Sequence, residues 1–164
     1  MIKPLNLVVA CAENRVIGHG RKLPWSIPED MAHFHAVTAG QIVVLGRVCY
    51  EIWPRVALDG RLPVVITRNP SLIPPGVRVA DSVDAALAIA QTLPGEIMIC
   101  GGQLIYEETL ARADRIYLTL VHANVTGDVY FPEWRHLAWR ESAVRESRNE
   151  AYRYTFSTLE RVRP

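Results

Sequence analysis

Cysteine is scarce in this chain. Cys11, Cys49 and Cys100 are widely spaced among 164 residues and form no Cys-x-x-Cys pair. That excludes a disulfide framework and a zinc ribbon, and leaves each thiol as a small, reduced hydrophobe. No stretch approaches the ~20 apolar residues of a membrane span. Lys3 and Pro4 precede only a short apolar run, so no export signal is expected, and the cytoplasm is the expected compartment. Neither charge sign dominates: the net charge is +1 and no basic run or stripe occurs, so no nucleic-acid partner is expected. The histidines, at 19, 33, 35, 122 and 136, show no metal spacing. The close pair His33 and His35 points to different helix faces, and no metal site is read. Gly-x-Ser-x-Gly and Gly-x-Gly-x-x-Gly are both missing, which argues against an elbow-type hydrolase and a standard Rossmann cofactor fold.

What is present is globular. Apolar residues make up 49% and charged residues 21%. A chain of this length suits one domain, residues 1–164, and buries roughly two-thirds of its unfolded surface without staples. Short runs rich in β-branched residues recur at Leu5–Ala12, Gln41–Leu45, Val64–Thr67, Val77–Ala80, Ile97–Cys100 and Ile116–Val121. They are largely non-alternating, as strands covered on both faces are. Helical patterns lie between them. Pro28 to Ala39 sets Met31, Phe34 and His35 on one face, with Ser26 or Ile27 before a first-turn proline, Glu29 and Asp30 in the first turn, and Gly40 as a stop. Arg47 to Trp53 reads as a short helix ended by Pro54. Ser82 to Leu93 opens on a Ser cap, and Gln103 to Arg112 carries Leu104, Ile105 and Leu110. Trp139–Glu146 and Tyr152–Arg161 alternate about a turn at Arg148–Glu150, which reads as an antiparallel hairpin. The sum is one α/β domain with an antiparallel edge.

Asp30 is the most informative single residue. It shares a helix face with Phe34 and adjoins Met31, and a carboxylate beside apolar surface is costly to leave unpaired. Position alone also allows a first-turn acid facing water. In an apolar cleft it would grip an amidine-like heterocycle through a forked hydrogen bond, with Thr119 to hold it or a bridging water. Cys100-Gly101-Gly102 ends a strand and opens a helix, where glycines admit a phosphate. Gly46-Arg47 is a second strand-to-helix turn, now beside a cation, and Arg68 follows another strand. Two such arginines suit a monoester phosphate. Gly18–Pro24 looks like a mobile loop, and Trp25 beyond it reads as a core anchor.

In this order the pieces resemble dihydrofolate reductase over nearly the whole chain. The match runs through Ala10, Asn14-Arg15-Val16-Ile17-Gly18, Leu23-Pro24-Trp25, Pro28-Glu29-Asp30-Met31, Phe34, Gly46-Arg47, Gly60-Arg61, Thr67-Arg68, Cys100-Gly101-Gly102, Ile105-Tyr106, Tyr117-Leu118-Thr119 and Gly127-Asp128-Val129-Tyr130-Phe131-Pro132. The resemblance implies an α/β three-layer sandwich: a mixed, mostly parallel eight-stranded sheet with a C-terminal antiparallel hairpin and flanking helices. It implies a monomer that reduces dihydrofolate with NADPH and binds antifolate inhibitors. Asp30 would hold the pterin, with Thr119 behind it and Trp25 positioning a water. Val8, Met31 and Phe34 would wall the pocket, Trp53 and Ile66 would flank the benzoyl group, and Arg61 would pair with the substrate's glutamate carboxylate. The cofactor would meet Ala10 and Ile17 at its amide. Gly101 and Gly102, joined by a cis peptide, would lie at its phosphates, and Tyr106 beside the nicotinamide. Arg47 and Arg68 would lie at the 2′-phosphate, with Gly46, Cys49, Thr67, Cys100, Gln103 and Leu104 completing the surround.

Some positions depart from the family pattern. Cys49 stands for the usual Thr, Cys100 for a branched aliphatic, Ile52 for the Ser after Glu51, His35 for a basic residue, and Val48 weakens a cofactor contact. These bear on affinity and inhibitor response more than on the reaction. Two other readings stay open on sequence: a reductase of the same fold acting on a ribosylated pyrimidine, and a non-catalytic binder of NADPH or folate.

Overall fold

The structure is a computed structural model that describes residues 2–53 and 55–164. Ten strands and four α-helices alternate along it. They are β1 (Leu5–Ala12), β2 (Val16–Gly18), α1 (Pro28–Thr38), β3 (Ile42–Gly46), α2 (Arg47–Glu51), β4 (Leu62–Ile66), β5 (Arg78–Ala80), α3 (Val83–Gln91), β6 (Ile97–Ile99), α4 (Gln103–Thr109), β7 (Arg115–Val121), β8 (Val129–Tyr130), β9 (Trp139–Arg148) and β10 (Arg153–Arg161). Eight form one sheet in the order β5-β4-β3-β6-β1-β7-β10-β9. Neighbours from β5 to β7 are parallel, while β10 runs antiparallel to both β7 and β9. This is the expected mixed, mostly parallel sheet with an antiparallel edge.

The non-alternating runs are explained by two covered faces. Ile42 and Val44 pack with Leu7, Val9, Ala86 and Leu87 on the α3 side. Val43 and Leu45 pack with Val65, Val56 and Ile73 on the α2 side. A strand buried on both faces has no polar side to alternate with. Each such Val, Leu or Ile contributes about 1.5–3 kcal/mol by leaving water. A third cluster, Val16, Trp25, Ile27, Val121, Tyr154 and Phe156, sits where the parallel sheet meets the hairpin.

Local chemistry sets the helix ends. Ser82 caps α3 by accepting from the Ala85 amide at 3.0 Å. The residue before α1 is Ile27, whose side chain caps nothing, so Pro28 and the acidic first turn supply the start signal. Gly40 adopts φ 74° just past α1, the left-handed stop that glycine tolerates. Helix α2 is shorter than expected, ending at Glu51, and Pro54 lies outside the described residues. Leu110–Arg112 is a 3₁₀ turn after α4 rather than its last turn.

One finding departs from the sequence reading, and a second fills in what it left open. Val16–Gly18 and Val129–Tyr130 pair as a small antiparallel ribbon, and His19 bridges Lys22, so the segment read as a loop begins as a strand. The Asp128 amide donates to the Gly18 carbonyl at 3.0 Å, and the Asp128 carboxylate accepts from the Gly20 amide at 2.9 Å, fixing the loop base. The face of α1 with Met31, Phe34 and His35 is not a core face. Met31 is 40% exposed and His35 exposed, while the buried residues of α1 are Asp30 and Thr38. Of that face, Met31 lines a cavity together with Asp30.

Candidate active site

The cleft is built where β1, β7 and β10 run under α1. Register aligns Ala10 with Thr119 and Thr119 with Phe156, so the three share one sheet face. Phe156 meets the ring of His33 on α1 at 4.5 Å, which brings the helix onto that row. Asp30, in the first turn of α1, is only 6% exposed. Burial pushes its carboxyl pKa up, and a hydrogen bond with Thr119 acts in the opposite sense without cancelling it. Among the described residues it makes no ion pair.

Asp30 and Trp25 line one cavity of about 380 Å³ with Leu23, Ser26, Ile27, Pro28 and Met31. The Trp25 indole N–H is buried and finds no acceptor among the described residues. An orphaned donor and an unpaired carboxylate in one apolar recess are both costly unless a ligand or water meets them. Trp25 also packs in the third core cluster, as the anchor reading expects. Farther along α1, Phe34 lies 5.0 Å from Trp53, and the His35 ring stacks on Trp53 at 6.0 Å. His33 and His35 therefore do face different ways. Val8 is buried in β1, and Ile66 is half-buried at the end of β4.

Arg61 is buried, with 4% exposure, and heavily engaged. Its Nε donates to Thr38 Oγ1 at 2.8 Å, Nη1 to the Leu58 carbonyl at 2.7 Å, and Nη2 to the His35 carbonyl at 2.7 Å. It ties the end of α1 to the turn before β4, a structural duty the sequence did not show.

The glycine turn closes the other side. Gly101–Gly102 is a cis peptide, as the resemblance implied, and Gly101 has φ 119°. A Cβ on Gly101 would lie 3.1 Å from Cys49 Sγ and 3.8 Å from the Tyr106 ring; one on Gly46 would lie 3.2 Å from Ile105 Cδ1. The Gly46 amide donates to the Gly101 carbonyl at 3.0 Å, joining the two strand-to-helix turns. Cys49 and Cys100 pack together in the α2-side cluster, and burial pushes both thiols up. Tyr106 donates to the Val8 carbonyl at 2.6 Å, linking this turn to the cleft floor. Ala10 packs in the third cluster and Ile17 against the α3-side core. Gln103 accepts from the Tyr130 amide at 2.9 Å, Leu104 is 72% exposed, and Thr67 Oγ1 accepts from the Asn69 amide at 3.1 Å. Arg68 is exposed, whereas Arg47 is held by Glu51 at 2.6 Å.

The comparisons place the chain in a family. The dihydrofolate reductase family model matches residues 4–161. The chain belongs to the dihydrofolate reductase family. A type 3 dihydrofolate reductase of Salmonella typhimurium is 43% identical over 97% of this chain and 99% of its own length. The dihydrofolate reductase of Neisseria meningitidis serogroup B is 38% identical over 93% and 94%. Among solved structures, a dihydrofolate reductase from Enterococcus faecalis complexed with NADP(H) and RAB-propyl superposes with a TM-score of 0.85 at 32% identity, covering 96% of both chains. Family membership makes the chain an oxidoreductase.

Three features of this family member escaped sequence reasoning. Glu29 accepts from Arg145 at 2.6 Å, Ser147 at 2.5 Å and Tyr154 at 2.7 Å, clamping the first turn of α1 to the hairpin. Those bonds hold its carboxyl at about pKa 2. Glu51 also accepts from Arg21 at 2.8 Å, tying the loop after β2 to α2. Asp59 sits in left-handed backbone, φ 61°, two residues before Arg61. The i,i+4 spacing of Arg47 and Glu51 was a usable signal. The Glu29 contacts, more than a hundred residues away in sequence, were not.

Proposed function

We propose that the protein, acting as a monomer of one domain over residues 1–164, reduces 7,8-dihydrofolate to 5,6,7,8-tetrahydrofolate with NADPH. The observation that carries the proposal is Asp30: a buried carboxylate with no cationic partner among the described residues, beside Thr119, in a recess that Trp25, with its orphaned indole donor, also lines. A cyclic amidine edge such as a pterin's offers two N–H donors to that carboxylate, and the apolar walls Val8, Met31 and Phe34 suit its flat faces. A pKa raised by burial lets Asp30 share a proton with the ring and support positive charge on it. Gripping the amidine edge leaves Asp30 far from N5, so a water held by the Trp25 N–H is the proton carrier to that atom.

The residues present fit NADPH. The glycine turn admits no side chain, since a Cβ on Gly101 would crowd Cys49 Sγ at 3.1 Å, so bare backbone is presented at the opening of α4 beside Gly46. When bound, NADPH supplies hydride from nicotinamide C4 to pterin C6. Ala10, Ile17 and Tyr106 would orient its ring end. Gly46, Cys49, Cys100, Gly101, Gly102, Gln103 and Leu104 would line its phosphates, and Thr67, Arg47 and Arg68 would take the 2′-phosphate end. Trp53, Ile66 and Arg61 would hold the benzoylglutamate tail, and the same pocket would accept antifolates.

The test mixes protein, NADPH and dihydrofolate and follows the nicotinamide absorbance. Oxidation that needs both compounds is the expected result. Absence of folate-dependent oxidation would leave the ribosylated-pyrimidine reductase and the non-catalytic binder as the surviving readings.

A further inference from the structure

Arg61 presents a guanidinium whose hydrogen bonds are largely spent on neutral oxygens. The hydroxyl of Thr38 and the carbonyls of Leu58 and His35 position it but do not neutralise it. Its side chain is 2% exposed, and Trp53 lies over it with the guanidinium carbon 5.3 Å from the ring centroid. The charge is met by one acid of the chain, Asp59, whose Oδ2 is 3.4 Å from Nη1.

Asp59 differs from Arg61 in every respect that governs mobility. Its side chain is 70% exposed, and its carboxylate makes no other hydrogen bond among the described residues. Its backbone is fixed: φ is 61°, and its carbonyl accepts from the Gly40 amide at 2.8 Å. The turn thus aims a loosely held carboxylate at a rigid, buried cation. A ligand carboxylate arriving at Arg61 meets the same positive field that holds Asp59.

We propose that Asp59 is a specificity-determining residue: an internal carboxylate that competes with the acidic tail of the substrate for Arg61. This rests on Arg61 seating that tail. A tail with a carboxylate displaces Asp59 into water at small cost, because the Asp59 carboxylate is already 70% exposed and reaches Nη1 only at 3.4 Å. A ligand without one leaves Asp59 where it is. The competition sets how much a tail carboxylate adds to binding, and it fades with salt as exposed charges are screened.

The test is Asp59→Asn in the full-length protein, since asparagine keeps the left-handed turn and removes only the charge. KM is measured for dihydrofolate and for a dihydropterin lacking the benzoylglutamate tail, at low and high salt. The expected result is a KM for dihydrofolate lowered about two- to fivefold at low salt, converging on wild type at high salt, with kcat and the tail-less KM unchanged. A dihydrofolate KM that is unchanged or raised, or a tail-less KM that moves in parallel, overturns the proposal. If the asparagine variant folds poorly, Asp59→Gly makes the same charge change in a backbone that accepts positive φ. Arg61→Lys is run beside them. If it leaves the dihydrofolate KM unchanged, Arg61 does not seat the tail, and both that reading and the competition fall. If it raises that KM while Asp59→Asn does not lower it, only the competition falls.

Discussion

Asp30→Asn should stabilise the protein at neutral pH while removing most of its turnover. The side chain is 6% exposed, its carboxyl pKa is raised by burial, and no cation repays the lost hydration. An incompletely satisfied buried polar group costs about 1–3 kcal/mol, more when charged. The isosteric amide removes the charge and keeps an oxygen for Thr119, so the expected gain is about 1–3 kcal/mol, or roughly 2–12 °C in Tm for a chain of this size. Because the folded pKa lies above the unfolded one, the destabilisation is fully present at neutral pH. It is relieved as pH falls through the folded value, when the native state takes up its proton first. The gap between variant and wild type should therefore shrink on acidification and vanish once both states are protonated in the wild type. Urea titrations from neutral to acidic pH measure this, beside steady-state turnover, which should drop roughly 10²–10³-fold with the lost electrostatic support. A variant less stable than wild type at neutral pH, or a gain that persists undiminished in acid, would refute the claim that Asp30 is a carboxylate held at a cost.

Three more outcomes follow from the geometry. Glu29→Gln should remove an acid-labile contact: the wild-type carboxyl titrates at about 2 against 4.5 ordinarily, so its contribution is whole above about 4.5 and lost toward 2, and the variant's stability should depend less on pH across that window, as acid titration by circular dichroism would read. Gly127→Ala should disrupt the β2–β8 ribbon, because a Cβ there would run into Val16 Cγ1 and the Gly18 carbonyl; amide exchange at Gly18 and Asp128 should rise well above that of the main sheet, and unchanged protection would count against it. Tyr106→Phe should cost about 1–2 kcal/mol by leaving the buried Val8 carbonyl without that donor, measurable by denaturant midpoint.

Much of this architecture is legible from residue order, and the exceptions share a cause. Leu5–Ala12 is β1 to the residue, and Gln41–Leu45 differs from β3 by one position at each end, because uninterrupted β-branched runs reflect burial on both faces. The hairpin showed in its alternation. Strands β2 and β8 did not, since three residues and two have no period to detect and each exists only through the other. The apolar stripe of α1 was visible, but periodicity alone did not show that Met31 and His35 stay exposed, since a stripe outside the core reads like one facing it. Asp30 could as well have faced solvent by position; only the packing of α1 over Thr119 and Phe156 buries it. For Arg61 the sequence implied a ligand contact, and the structure adds three internal bonds, so truncating it would damage the end of α1 along with binding.

The clamp on Glu29 has a consequence for how the protein is made. The helix carrying the acid emerges early in synthesis, while Arg145, Ser147 and Tyr154 belong to the last fifth of the chain. Until those residues leave the ribosome, the parallel half of the sheet can gather but Glu29, in the first turn of α1, lacks the partners that fasten it to the hairpin. The reductase is thus a machine whose final bolt is cast last: nascent chains short of the hairpin carry every contact of the glycine turn and yet leave Glu29 without its clamp.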